Sequence, residues 1–152
     1  MVPLFLFKGN EMEAKTKNRL IDNARKYLHS GWHCSEGILL AVGEHHFPEK
    51  LPEILKVATP FCGGVGGTEQ ELCGAFTGGL IVIGVLFGRT AAGADDAHCL
   101  DLTKKYRQQF NQHFGYLWCK DLRKNWIGKP GQPDCAELTA QATGILIDLL
   151  EE

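Results

Sequence analysis

The stretch Cys73-Gly74-Ala75-Phe76-Thr77-Gly78-Gly79-Leu80-Ile81-Val82-Ile83-Gly84-Val85-Leu86-Phe87-Gly88 decides the fold. From Leu72 to Gly88 the chain runs for 17 residues without a charge. That length approaches what a membrane span requires. Five glycines, the polar Thr77 and the lack of a basic flank on one side point instead to a buried central helix, so no membrane span is expected. Cys73 falls in the first turns of this helix, where the positive end of the helix dipole favours a thiolate and hence metal ligation or redox chemistry. The small residues after it let another backbone, or a cofactor, come close. Just upstream, Thr68-Glu69-Gln70-Glu71 reads as a capping box, with Thr68 as N-cap and Glu71 reaching back to it.

Working outward, the other segments are helical too. Leu20, Ile21, Ala24 and Leu28 recur at helical spacing between Glu11 and Leu28, and Ser30-Gly31 ends that helix. A second helix is expected from His33 to His46, with Ile38, Leu39 and Val42 on its apolar face and Pro48 as its stop. The pair His45-His46 reads as a helix end meeting solvent. Leu51 to Ala58 forms a short helix with Pro52 in its first turn. Ala94 to Phe114 is amphipathic, Lys120 to Trp126 is brief, and Asp134 caps a last helix that begins at Cys135. No segment alternates with period two, so little sheet is expected. The reading is an all-α single domain over residues 1–152, a bundle of about six helices around the Gly-rich central one. Residues 1–10 read as a docking strand or a disordered lead.

Composition narrows the function classes. A net charge of −2 at this length gives nucleic acid no basic surface to bind. Met1 to Phe7 is apolar but too short for a signal segment and has no basic start, so a cytoplasmic protein is expected. Six cysteines in a reducing compartment point to metal ligation, a cluster or reversible thiol chemistry rather than a disulfide framework. No Cys-x-x-Cys pair occurs, so a shared site must be assembled by the fold from distant segments. Cys34, Cys73, Cys119 and Cys135 all fall at expected helix starts. The loop Cys62-Gly63-Gly64-Val65-Gly66-Gly67 offers backbone amides without side chains in the way. Buried cysteines often serve only as small hydrophobes. Four at helix starts favour a working set.

These segments resemble the redox-active C_GCAxxG_C_C family of small four-cysteine proteins. His33-Cys34-Ser35-Glu36 is similar to its first cysteine segment and Gly63-Gly64-Val65-Gly66 to its glycine loop. Cys73-Gly74-Ala75-Phe76-Thr77-Gly78 resembles its signature. Phe114-Gly115 with Cys119-Lys120-Asp121-Leu122, and Cys135-Ala136-Glu137, resemble its third and fourth segments. The resemblance implies a redox role and leaves the substrate open. Cys62 and Cys99 fall outside the pattern; Cys99 reads as a core residue of the long helix.

Soft thiolates suit iron–sulfur clusters, zinc or copper(I), and helix N-termini offer amides to thiolates and cluster sulfides. The expectation is that Cys34, Cys73, Cys119 and Cys135 converge at one end and ligate an iron–sulfur cluster for electron transfer or redox sensing. Gly63, Gly64 and Gly66 lie against the site, Cys73 and Cys34 are the reactive pair, and Cys62 and His33 are further candidates. Two alternatives stay open, a cofactor-free dithiol/disulfide protein and a zinc-stabilised structural module. The expected partner is a redox protein, with a homodimer also open.

Overall fold

Residues 12–152 are described by the computed structural model, in which seven α-helices carry the chain. They are α1 (Ala14–His29), α2 (Cys34–His46), α3 (Leu51–Ala58), α4 (Gly74–Phe87), α5 (Ala97–Phe114), α6 (Cys119–Asn125) and α7 (Cys135–Leu150), with a 3₁₀ turn at Thr59–Phe61. Among the described residues there is no strand, only the isolated bridges Leu72–Trp118 and Lys129–Gln132. The all-α expectation holds, with seven helices where about six were expected. The reading of residues 1–10 lies outside the described residues. No helix among the described residues is long and apolar enough to cross a membrane. The uncharged α4 has 14 residues, where a span needs about 20.

Local chemistry explains most helix ends. Gly31 takes φ +103° just past α1, a left-handed conformation that costs glycine nothing. Asp134 caps α7 by accepting the Glu137 N–H at 2.9 Å. At the start of α2, the Glu36 carboxylate accepts the His33 N–H at 3.0 Å and the Thr59 hydroxyl at 2.8 Å, which settles a charge that is otherwise buried. The expected box at Thr68–Glu71 does not form. Thr68 Oγ1 donates back to the Gly64 and Val65 carbonyls (2.8 and 2.9 Å), and α4 starts only at Gly74. Residue 72 pairs with Trp118 instead, through Cys73 N–H to Leu117 O and Cys119 N–H to Glu71 O, both 2.8 Å. A bridge to a distant segment thus replaces the local cap.

α2 and α4 lie side by side at the centre, α1 covers α2, and α7 packs along α1. α2 is buried continuously from Ser35 to Gly43, so it is as central as α4. α4 is buried through Gly79 and again at Val82 and Ile83, but its last turns are half-exposed. The two helices approach closely because glycine stands where a side chain would collide. A Cβ on Gly78 would lie 2.5 Å from the Ser35 carbonyl oxygen and 2.6 Å from Ile38 Cγ2; one on Gly79 would meet the Tyr106 ring at 2.5 Å. Tyr106, Phe110 and Phe114 continue the core along α5, with Tyr106 Oη donating to Ala75 O at 2.8 Å.

At the far end of α2, His46 departs from expectation. His45 meets solvent, but His46 Nε2 is buried without a partner, beside a cavity of about 300 Å³ lined by Phe47, Pro48, Lys50, Val85 and Leu86. Burial, with a smaller push from His45, lowers its pKa to about 4.

Two expectations follow. Gly78→Ala should lower stability by about 1–3 kcal/mol in denaturant titrations despite alanine's better helix propensity, because the obstacle is backbone. The unfolded chain protonates His46 near pH 6.5 and the folded chain only near pH 4. Its contribution is therefore complete above pH 6.5 and falls on acidification toward pH 4. Thermal melts of His46→Gln should show a shallower loss than the native protein across that window.

Candidate functional site

Each of the four pattern cysteines stands at a helix N-terminus. Cys34, Cys119 and Cys135 are the first residues of α2, α6 and α7, and Cys73 is the N-cap of α4, one position before the helix proper. All four line one cavity of about 310 Å³, with Gly63 and Gly74 on its wall and Leu28, Leu122, Ile127 and Leu138 supplying apolar lining. Four distant segments thus bring their thiols and the positive ends of their helices to one place.

Three contacts fix the arrangement. The sulfur of Cys34 sits directly over Gly74, where a Cβ would overlap it, with Ser35 N and Phe61 O also close. Gly64 lies against Cys119, whose Cβ would be 2.7 Å from an added methyl. The bridge at Leu72–Trp118 holds Cys73 and Cys119 on neighbouring strands of chain. The glycine loop reaches Cys34 by an unusual path: Gly63, Gly64, Val65, Gly66 and Gly67 all have φ between +53° and +73°. At the start of that left-handed run the Gly63 N–H bonds the Cys34 sulfur.

The thiols are electrostatically linked. Burial pushes Cys34 up, opposed by the amides of Gly63 and Ser35, with Cys119 and Cys62 adding repulsion. Burial raises Cys73 far more, and Cys34 adds to it, while the Ala75 and Phe76 amides oppose the rise. Cys135 is pushed up to about 11 by burial and by Cys34, with Arg123 pulling the other way. The helix dipole therefore does not make Cys73 an exposed thiolate, as its position suggested. Loss of water outweighs the dipole and favours the neutral thiol at Cys34, Cys73 and Cys135.

The remaining candidates divide. Gly63 lines the cavity and Gly64 supports it from behind, but Gly66 is not among the lining residues. His33 lines the exposed rim. Cys62 is half-buried and close enough to Cys34 to repel its charge, yet it does not line the cavity. Cys99 packs against the core, as expected. Of the two tryptophans that flank α6, Trp126 is buried and Trp118 is exposed.

Three lining residues escaped the sequence reading. Arg123 hydrogen-bonds to Cys119 and pairs with Glu69 at 3.2 Å. His29 meets Asp134 at 3.3 Å on the rim. Thr139 is fully buried and its hydroxyl has no partner. Arg123 and Thr139 each follow a helix-opening cysteine by four residues, the spacing that places side chains on one helix face. That offset was readable once the cysteines were placed at helix starts.

Among the described residues, no three His, Cys, Asp or Glu side chains are gathered tightly enough to grip a single metal ion. The four thiols surround a space rather than meet at a point.

The sequence matches the model of the family described as "Putative redox-active protein (C_GCAxxG_C_C)" over residues 32–149, and the chain belongs to that family. Searches of curated proteins and of solved structures return no match.

Because the Cys34 sulfur occupies the space above Gly74, Gly74→Ala should displace it while leaving the helical content intact. Thiol titration of the folded protein should find Cys34 more accessible to alkylation in the variant, at a cost of about 1–3 kcal/mol in stability.

Proposed function

We propose that Cys34, Cys73, Cys119 and Cys135 hold an iron–sulfur cluster and that the protein serves electron transfer or redox sensing. The observation that carries this reading is four thiols, on four helix N-termini, lining one cavity. Such a cluster would supply a one-electron couple and carry net negative charge. The chain's own groups suit that charge. Amides of Gly63, Ser35, Ala75 and Phe76 reach two of the sulfurs, Arg123 reaches a third, and apolar side chains limit water. Family membership adds the redox character and nothing finer.

Two observations weigh against the alternatives. A structural zinc needs its thiolates about 3.8 Å apart around one ion, given Zn–S bonds near 2.3 Å. Among the described residues no three His, Cys, Asp or Glu side chains are gathered for a single ion, which counts against a closed zinc site. A cofactor-free dithiol works best with an accessible, low-pKa nucleophile. Cys73, buried and held neutral, is poorly suited to that task. All six cysteines are free thiols, which fits a reducing compartment such as the cytoplasm. The partner this reading calls for is an electron-donor or electron-acceptor protein.

Purification without oxygen, followed by visible spectroscopy and iron, sulfide and zinc analysis, tests the reading. A brown protein with iron and acid-labile sulfide supports it. A colourless protein with stoichiometric zinc, or a metal-free one whose thiol count follows redox potential, overturns it. Cys73→Ser should lose the chromophore while staying folded. Cys99→Ala should keep it and lose only the modest stability of a small core cavity, about 1 kcal/mol. Loss in Cys99→Ala with retention in Cys73→Ser would refute the ligand assignment.

A further inference from the structure

Among the described residues, the buried hydroxyls have partners with one exception. Ser35 Oγ donates to Ala58 O at 2.7 Å, and Thr143 Oγ1 donates to Thr139 O at 2.8 Å. Thr77 Oγ1 lies 3.3 Å from Gly74 O and 3.4 Å from Cys73 O. Thr139 is 0% exposed and its Oγ1 has no partner. A threonine inside a helix ordinarily bonds the carbonyl four residues earlier, as Thr143 does. For Thr139 that carbonyl belongs to Cys135, and the bond is not made. Valine would fill the same volume without stranding a hydroxyl from water. Thr139 lines the four-cysteine cavity one turn beyond Cys135, so an occupant of that cavity is the candidate acceptor for this unmet donor.

We propose that Thr139 is a positioning residue that donates a hydrogen bond from Oγ1 to a sulfur of the group held in this cavity, and so sets that group's reduction potential. The inference rests on the cluster reading above. The acceptor it requires is a soft, negatively charged sulfur, either a cysteine thiolate or a bridging sulfide. A donated hydrogen bond stabilises the more negative member of a redox couple, so it favours the reduced state and raises the potential. Thr139 keeps its proton throughout and no bond to it forms or breaks. The electron comes from an external donor, which in the experiment is the titrating dithionite. Arg123 also faces the cavity, but it is half-exposed and paired with Glu69, so water and that carboxylate damp its influence. The buried hydroxyl has no such competitor.

The test uses the full chain and two variants, Thr139→Val and Thr139→Ser, reconstituted anaerobically with iron and sulfide. Three quantities are measured: iron and sulfide content, reduction potential by mediated dithionite titration, and the melting temperature of the metal-free protein. The valine variant should retain the cluster, with its reduction equilibrium constant lowered several-fold, up to about tenfold or ~59 mV for one electron. Its metal-free form should melt at the same or a higher temperature, because the stranded hydroxyl is gone. The serine variant, which keeps the donor, should keep the native potential. A valine variant with full cluster and native potential overturns the role of Thr139 and leaves the cluster reading intact. A native protein that takes up no cluster overturns both. If the valine variant cannot hold the cluster, the serine variant decides: native content and potential support the donor, and a lowered potential refutes it.

Discussion

The close approach of α2 and α4 is the constraint on which the rest of the structure depends. Gly78 lets the Ser35 carbonyl come within 2.5 Å of where its Cβ would be, and one turn earlier Gly74 leaves room for the Cys34 sulfur itself. The same two glycines therefore set the spacing of the central helices and seat the first thiol. Ser35, held on the other side by its bond to Ala58 O, ties this crossing to the end of α3. From there the 3₁₀ turn delivers the glycine loop to the cavity, so that Gly63 meets Cys34 and Gly64 meets Cys119. Glycines inside a helix cost about 1 kcal/mol each relative to alanine. Here they are compensated by burial of two helices along a shared face that larger residues would force apart.

Four helix N-termini aimed at one cavity create an electrostatic problem that the sequence only partly solves. Each end carries roughly half a positive charge, and like ends repel. Glu36 in the first turn of α2 and Asp134 at the cap of α7 offset two of them. α4 has no acidic residue in its first turn, and Asp121 serves α6. The sulfurs do not supply the missing charge while they are protonated, because burial and mutual repulsion hold Cys34, Cys73 and Cys135 neutral. A cationic centre bound by these sulfurs would displace their protons, and the thiolates so formed would take up the field of the helix ends.

Helix identity was legible in the sequence because it is local. Alternating charge and apolar residues gave α1 and α5, the uncharged run gave α4, and Asp134 gave the start of α7. Gly74 and Gly78 could be read as close-contact positions, since only packing explains glycine in a helix. What could not be read was pairing between distant segments. The Thr68–Glu71 pattern satisfied every local requirement of a cap, yet a bridge to Trp118 claimed the backbone there. His46 looked like a solvent-facing helix end until Phe47 and Leu86 enclosed it beside its cavity. The dipole at Cys73 was inferred correctly, but its consequence for the thiol depended on how much water the tertiary fold removes. Arg123 and Thr139 became visible only after the cysteines had been placed at helix starts.

The glycine loop shows how much of this site is bought with strain. Left-handed conformations cost an L-residue about 1–2 kcal/mol each, so runs of them are avoided. Five consecutive residues from Gly63 to Gly67 adopt one, and Glu69 adds another at φ +61°. Glycine removes the cost at four of the five, leaving Val65 at φ +69°, a branched residue that is also exposed, so burial does not compensate it. The loop's own bonds hold the path: Gly66 N–H to Pro60 O at 2.8 Å, Gly67 N–H to Cys62 O at 3.0 Å and Glu69 N–H to Gly63 O at 2.7 Å. Glu69 is further tied to Arg123, which reaches Cys119. Strain of this kind persists where the surroundings over-determine it, and here both ends of the loop are fixed on cysteines of the cavity.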